Sequence, residues 1–296
     1  MNSDTTKKDR AWLLPDCRKE QIKGGLYLVS TPIGNLADIS VRGLDVLSLA
    51  DLVVCEDTRV TKKLLSYYGL EAPLLSYNDH NAEGRRGQIL DGLSQGQVIA
   101  FVSDAGTPLV SDPGFKLVRD CLDLGLPVTS VPGASAVLSG LQLSGLPSDR
   151  FSFLGFLPSK KGARTTTLEA WRGVPGSLIA FESGMRLVAA LESVRDVLGE
   201  RDVAVVREIT KMYEESRRGR TSELIQFYEQ EGAPKGEIVL VVGPGETDVL
   251  SEKDIKAQLV DALKTMSTKE AAAHVASVTG LSRKTLYELA LKVSKA

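Results

Sequence analysis

The sequence predicts an α/β protein made of two α/β domains, a doubly wound parallel sheet followed by a mixed sheet, with a small helical appendage at its end. Three observations predict this. Short apolar runs of strand length alternate with helix-period runs from about residue 25 to 143, the pattern of right-handed crossovers in a parallel sheet. A second series of strand-like runs begins after Pro147, and beyond residue 250 only helix patterns remain. At 296 residues, the chain has room for about two domains of ~100–150 residues, each burying its own core. The expected division is a disordered leader over 1–21, a first domain over 22–134, a second over 135–246 and the appendage over 247–296.

In order, Leu26–Ser30 reads as a first strand, and Ser40 can cap a helix reaching about Ala50. Leu52–Cys55 is a second strand, and Thr58–Tyr68 has helical spacing that stops at Gly69. Leu74–Tyr77, Val98–Ser103 and Pro127–Val131 are further strands, alternating with helices near Glu83–Leu93, Pro113–Leu124 and Ala134–Leu143. In the second block, strands are expected at Phe151–Leu157, Leu178–Glu182, Val203–Ile209 and Glu237–Val242. Helices are expected at about Thr165–Trp171, Met185–Val197 and Ser222–Gln230. The last block reads as Asp254–Lys264, then Thr268–Val278 opened by a capping box at Ser267 and Glu270, a turn over 279–282, and Arg283–Val293. Leu286, Leu289, Ala290 and Val293 fall on one face of that last helix. Two helices about a short Gly turn suit a helix-turn-helix, either contacting RNA or serving packing and dimerisation.

Composition narrows the function classes. Apolar residues make up 43% and charged residues 25%, ordinary for a globular chain. Apolar stretches such as Ile238–Val242 fall far short of the ~18 residues a membrane span needs. The polar first ten residues lack a signal-peptide core, so a cytoplasmic location is expected. Cys17, Cys55 and Cys121 show no CxxC spacing, and His80 and His274 are the only histidines. Neither a disulfide framework nor a transition-metal site is expected. Residues 251–296 hold eight Lys/Arg against five Asp/Glu, which leaves −5 of the overall −2 charge on the rest. A basic appendage on an acidic body is compatible with RNA contact and equally with a solvated tail.

In open α/β sheets, ligands bind beyond the carboxyl ends of the strands, so the loops after strands carry the functional signal. Thr31-Pro32-Ile33-Gly34-Asn35 allows close backbone approach or is an ordinary turn; it is no dinucleotide fingerprint. Glu56-Asp57-Thr58-Arg59 is either a polar site or a helix cap with a surface pair, and Tyr77–Asn81 is a polar loop or a solvated turn. The most specific segment is Ser103–Gly114, rich in small residues and holding Pro108 and Pro113. Asp104 suits an ammonium and the hydroxyls suit a carboxylate. With no P-loop lysine, the loop fits an amino-acid-bearing cofactor better than a triphosphate. Val131–Ala136 offers another small-residue approach at a helix start, or simply tight helix packing. Lys160, Lys161 and Arg164 form a basic loop that either meets phosphate or is solvated.

The ordered set TPIGNLADIS, CEDTR, SYNDHN, SDAGTPLVSDPG, VPGASA, FLGFLPSKKGAR, FES, REITK and KGE resembles the tetrapyrrole-methylase superfamily. More narrowly it resembles the bacterial 16S ribosomal RNA cytidine 2′-O-methyltransferases, from about Gly25 to Pro244. KEAAAHVASVTGLSRKTLYELALKV resembles the helical appendage of many members. The resemblance implies S-adenosyl-L-methionine held in the cleft between two α/β domains. It places the cofactor contacts at Ile33, Asp104, Thr107, Val110, Ser135, Ala136, Phe181 and Gly236. It also implies a homodimer acting on 16S rRNA or the small ribosomal subunit, with no membrane partner and no metal. The 2′-oxygen would attack the methyl carbon in line, with Glu56, Asp57, Glu208 or a Lys211 of depressed pKa assisting proton loss. Arg59, Lys160, Lys161 and Arg164 would meet phosphates. Two positions depart from the family: Gly184-Met185 stands where many relatives carry Pro-His, and Val60 where relatives often carry His. Neither histidine is available as a base. The rival readings are a methylase of a tetrapyrrole or diphthamide precursor on the same scaffold, and a non-catalytic RNA-binding assembly protein.

Overall fold

The computed structural model describes residues 22–78, 80–111, 113–245, 252–279 and 282–293. The expected leader over 1–21 and the Gly280-Leu281 turn lie outside the described residues. The chain divides into a unit ending at Gly243 and a second unit beginning at Pro244.

The first half of the larger unit alternates strand and helix as its apolar periodicity dictates. Its elements are β1 (Gly25–Val29), α1 (Val41–Leu49), β2 (Leu52–Cys55), α2 (Thr58–Tyr67), β3 (Leu74–Ser76), α3 (Ala82–Ser94), β4 (Val98–Val102), α4 (Phe115–Asp123) and β5 (Val128–Val131). Ser40 accepts the Gly43 N–H to start α1, and Asp57 accepts the Arg59 N–H to start α2. The sheet is parallel, in the order β3-β2-β4-β1-β5. The chain therefore steps one way from β1 to β2 to β3 and the other way from β3 to β4 to β5. Right-handed crossovers then require α1 and α2 on one face and α3 and α4 on the other.

The cores follow that rule. Tyr27, Val29, Val53, Cys55, Ala100 and Val102 pack with Val46, Leu47 and Leu65 of α1 and α2. Their strand neighbours Leu26, Val54, Ile99 and Phe101 pack with Ile89, Leu93, Leu117 and Cys121 of α3 and α4. The period-two side-chain alternation of a strand sorts the two cores. Because the connections leaving β1 and β4 depart to opposite faces, the adjacent ends of these two strands form a topological switch point.

The second half holds α5 (Ala136–Ser144), β6 (Phe151–Phe156), α6 (Lys161–Trp171), β7 (Ser177–Ser183), α7 (Leu187–Leu198), β8 (Asp202–Arg207), β9 (Glu215–Arg220), α8 (Thr221–Glu231) and β10 (Glu237–Val242). The order is β6-β7-β10-β8-β9. Only the β6–β7 pair is parallel, so the sheet is mixed as expected. One face packs on α7 and α8 through Leu178, Leu187, Leu191, Leu224 and Leu240. The other takes Val137 and Leu141 of α5.

β9 is absent from the sequence expectation, and the reason is physical. ESRRGR has no apolar alternation. It is an edge strand, paired antiparallel to β8 and held by its charges. Arg207 meets Glu215 at 2.8 Å, Arg217 lies 3.7 Å from the centre of the Phe227 ring, and Arg218 donates to the Ser144 carbonyl at 2.7 Å. The basic run therefore ties a sheet edge to its helices.

The smaller unit contains α9 (Glu252–Leu263), α10 (Thr268–Thr279) and α11 (Arg283–Val293). Leu259, Ala272, Val275, Leu286 and Ala290 form its core. The capping box is present: Glu270 accepts from the Ser267 N–H at 3.0 Å, and Ser267 Oγ accepts from the Glu270 N–H at 3.4 Å.

Candidate active site

The candidate site lies at the switch point. Where β1 and β4 end, their loops hold each other: the Thr31 N–H donates to the Gly106 carbonyl at 2.9 Å, and the Gly106 N–H returns a bond at 3.1 Å. Thr31 Oγ1 donates to the Ser103 carbonyl at 3.1 Å. Thr107 Oγ1 accepts from Ser30 and donates to the Ala134 carbonyl at 3.1 Å, tying in the loop after β5. Gly106 has φ +85, and a Cβ there would stand 3.2 Å from Ile33, so a side chain would fill the approach. A cavity of about 280 Å³ opens between these loops and the end of the second sheet.

Seven of the eight expected cofactor positions line this cavity: Ile33, Asp104, Thr107, Val110, Ser135, Ala136 and Phe181. Gly236 does not; it packs against Glu208, which also lies outside the lining. The Gly236 φ is +99, and a Cβ would come 2.3 Å from Glu208 Oε1. Asp104 accepts the Asp57 N–H at 3.0 Å. Burial pushes the Asp104 carboxyl above its ordinary pKa, opposed by that hydrogen bond; the Asp57 charge adds to the rise and Arg59 counters it. A partly desolvated carboxylate is set to gain from a cation. Ser135 caps α5, accepting from Leu138 N–H at 3.4 Å, so a helix N-terminus also faces the cavity.

Two loops reach the cavity under strain. Among the described residues, the non-glycine residues in the left-handed region are Leu109, Ser111, Glu208 and Thr210. They flank Val110 and Ile209, and both of these central residues line the cavity. Each left-handed residue costs about 1–2 kcal/mol. Such strain persists where surroundings enforce it, typically at binding sites. Ile209 and Phe156 belong to the site although the sequence reading omitted them. Ile209 reads as the end of a strand. For Phe156 the one sequence signal is the preceding Gly155, since glycine inside a strand pattern marks a bulge.

The expected catalytic residues lie outside the cavity lining. Lys211 donates to Glu208 at 2.9 Å and to Glu237 at 2.7 Å. Burial lowers its pKa, but the hydrogen bonds it donates to Glu237 and Glu208 prevail and the net shift is upward. The expected depressed lysine is therefore corrected: Lys211 is a held cation. Its hydrogen bond in turn holds the Glu208 carboxyl below the usual range. Asp57, bonded by Arg59, is drawn down to about 2. Glu56 is half-buried at the end of β2, where its carbonyl accepts from Ser76 Oγ at 3.1 Å.

Among the expected phosphate contacts, Arg59 is exposed but paired with Asp57, and Lys160 and Lys161 are exposed at the start of α6. Arg164 is corrected. It is 4% exposed, and its guanidinium donates to Ser193 Oγ and to the Pro158 and Ser159 carbonyls. It braces the loop instead of facing RNA. Among the described residues, no cluster of His, Cys, Asp or Glu could hold a metal ion, and no helix is long and apolar enough to cross a membrane.

A parallel sheet joined to a mixed sheet, with a small-residue pocket at the switch point, is an α/β architecture of the methylase type. Residues 25–225 match the Tetrapyrrole (Corrin/Porphyrin) Methylases, and residues 249–294 match the RsmI C-terminal HTH domain. The chain is 49% identical to "Ribosomal RNA small subunit methyltransferase I" of Erythrobacter litoralis over 94% of this chain and 98% of that one. It is 46% identical to the protein of that name from Mesorhizobium japonicum, over 92% and 93%. Among solved structures, a uroporphyrin-III C-methyltransferase from Thermus thermophilus complexed with S-adenyl homocysteine shares the fold (TM-score 0.52, 19% identity, 74% of this chain and 97% of that one). The protein belongs to the ribosomal RNA small subunit methyltransferase I family.

Proposed function

We propose that the protein transfers the methyl group of S-adenosyl-L-methionine to the ribose 2′-oxygen of a cytidine in the decoding region of 16S rRNA. The observation that carries the reading is the cavity at the β1/β4 switch point. It joins the partly desolvated Asp104, with Glu182 and Glu237 also in its lining, to small-residue loops and apolar walls. That donor set fits an amino acid joined through a sulfonium to a nucleoside: Asp104 would hold the ammonium, the N-terminus of α5 the carboxylate, and Ile33, Val110 and Phe181 the apolar body. The names of the relatives support RNA of the small subunit over a tetrapyrrole or diphthamide precursor.

When bound, the sulfonium supplies an activated methyl carbon. The chain's own contribution is then alignment. The strained loops fix Val110 and Ile209, and the Lys211 cross-link to Glu208 and Glu237 ties the end of β8 to the start of β10. Holding reactants in line accounts for much of the acceleration expected of such a site. Glu208, charged at neutral pH, remains the carboxylate proposed to draw the 2′-hydroxyl proton, with Glu56 and Asp57 behind it. Arg59, Lys160 and Lys161 would meet phosphates. The enzyme would act in the cytoplasm, as a homodimer, on rRNA or the assembled small subunit.

The test is methyl transfer from labelled donor to small subunits of cells lacking the protein, followed by alkaline hydrolysis. A 2′-O-methyl group blocks cleavage at the next phosphodiester, so label is expected in one alkali-stable dinucleotide beginning with cytidine. Label in a base, in a ribosomal protein or nowhere would reject the reading.

A further inference from the structure

β6 does not run straight. Phe153 pairs with Ile179 while Phe156 pairs with Phe181, so three steps along β6 match two along β7, and Gly155 takes φ +70. This is a β-bulge. Phe153 lies on the face packed against α5, and Leu154 on the face packed against α7 and α8. Strict alternation would send residue 156 to Leu154's face. The extra residue turns Phe156 to the cavity face instead. There its ring meets Phe181 edge to face, with centroids 5.3 Å apart at 63°. Phe156 lines the cavity, yet it is 62% exposed. The strand is distorted to hold a large ring open at the mouth.

Other large side chains at the same end of the sheet face outward too. β6, β7 and β8 run the same way, because β7 and β8 are each antiparallel to β10. Met185 after β7, and Met212 and Tyr213 after β8, therefore lie at the same end of the sheet as Phe156. Met185 and Met212 are 90% and 88% exposed. A ring anchored on one side by Phe181 and largely exposed, at the sheet end that also carries the exposed Met185 and Met212, suits the stacking of an unpaired base.

We propose that Phe156 is the stacking platform for the nucleobase of the acceptor nucleotide, which positions the attached ribose at the cavity mouth. This rests on the reading of the protein as an RNA methyltransferase. The base stacks on the open face of Phe156, and Phe181 keeps the ring from turning away.

The experiment compares Phe156→Ala and Phe156→Trp in the full-length protein. It measures steady-state methylation of small subunits lacking the modification, alongside titration with S-adenosylhomocysteine. Phe156→Ala is expected to raise KM for the subunit roughly ten- to hundred-fold, with kcat less affected and affinity for S-adenosylhomocysteine within about two-fold. Phe156→Trp is expected to restore KM. An unchanged KM in Phe156→Ala overturns the proposal, as does failure of tryptophan to rescue. Weakened product affinity with KM for RNA unchanged would place the cofactor's adenine on the ring and also overturns it. Absence of transfer by the wild type would sink the functional reading itself, an outcome no Phe156 variant can mimic.

Discussion

Replacing Asp104 by asparagine removes one of the three carboxylates that line the pocket. The amide keeps an oxygen for the Asp57 N–H, now accepted at 3.0 Å, so the loop after β4 should stay in place. In the ligand-free protein, burial raises the Asp104 pKa. The folded state therefore holds its proton more tightly than the unfolded state, and stability falls as pH rises through the two pKa values. Removing the charge should leave the ligand-free Tm unchanged or slightly higher. In the complex, one charge-assisted hydrogen bond to the ammonium is lost, worth about 1.5–3 kcal/mol, or about 10- to 150-fold in affinity. Calorimetric titration with S-adenosylhomocysteine at neutral pH reads that change directly. Wild-type affinity should also decline with acidification, beginning at higher pH than an ordinary carboxylate allows, whereas the variant stays flat there. A variant binding within about two-fold of wild type would refute the ammonium contact.

Other outcomes follow from the same geometry. Gly236→Ala puts a Cβ 2.3 Å from Glu208 Oε1 at φ +99; the left-handed strain alone predicts a loss of about 1–2 kcal/mol, read as a Tm lower by about 2–8 °C. Lys211→Ala should slow single-turnover methylation, because it frees Glu208 and the cavity-lining Glu237; equal rates would remove Lys211 from the site. Glu208→Gln should flatten acid destabilisation below pH 4.5, since a depressed carboxyl pKa gives stability that is lost as pH falls through it; urea midpoints across that range check the sign. Arg217→Ala removes the stack on Phe227 and the Glu215 pair, costing about 0.5–1.5 kcal/mol. Cofactor affinity should be unchanged, because no β9 residue lines the cavity.

What could be read in the sequence follows from where the signal is local. Strands such as Leu52–Cys55 and caps such as Ser40 and Ser267 carry their own patterns, and the Ser103–Gly114 loop announces close approach by its composition. β9 could not be read, because its stability comes from Glu215, Phe227 and distant carbonyls and not from its own periodicity. Arg164 reads as a basic loop residue; only the tertiary structure shows Ser193 and two carbonyls drawing it inward. The Lys211 pKa depended on Glu237, 26 residues away in sequence, rather than on the adjoining loop alone. The left-handed pairs around Val110 and Ile209 involve leucine, serine, glutamate and threonine, residue types that do not advertise such backbone.

The most direct test is a crystal structure of the protein grown with S-adenosylhomocysteine. Density for the ligand should fill the cavity bounded by Ile33, Thr107, Val110 and Phe181, with its ammonium about 3 Å from an Asp104 oxygen. Ligand density at another place, or a saturated crystal with this cavity holding only water, would contradict the account.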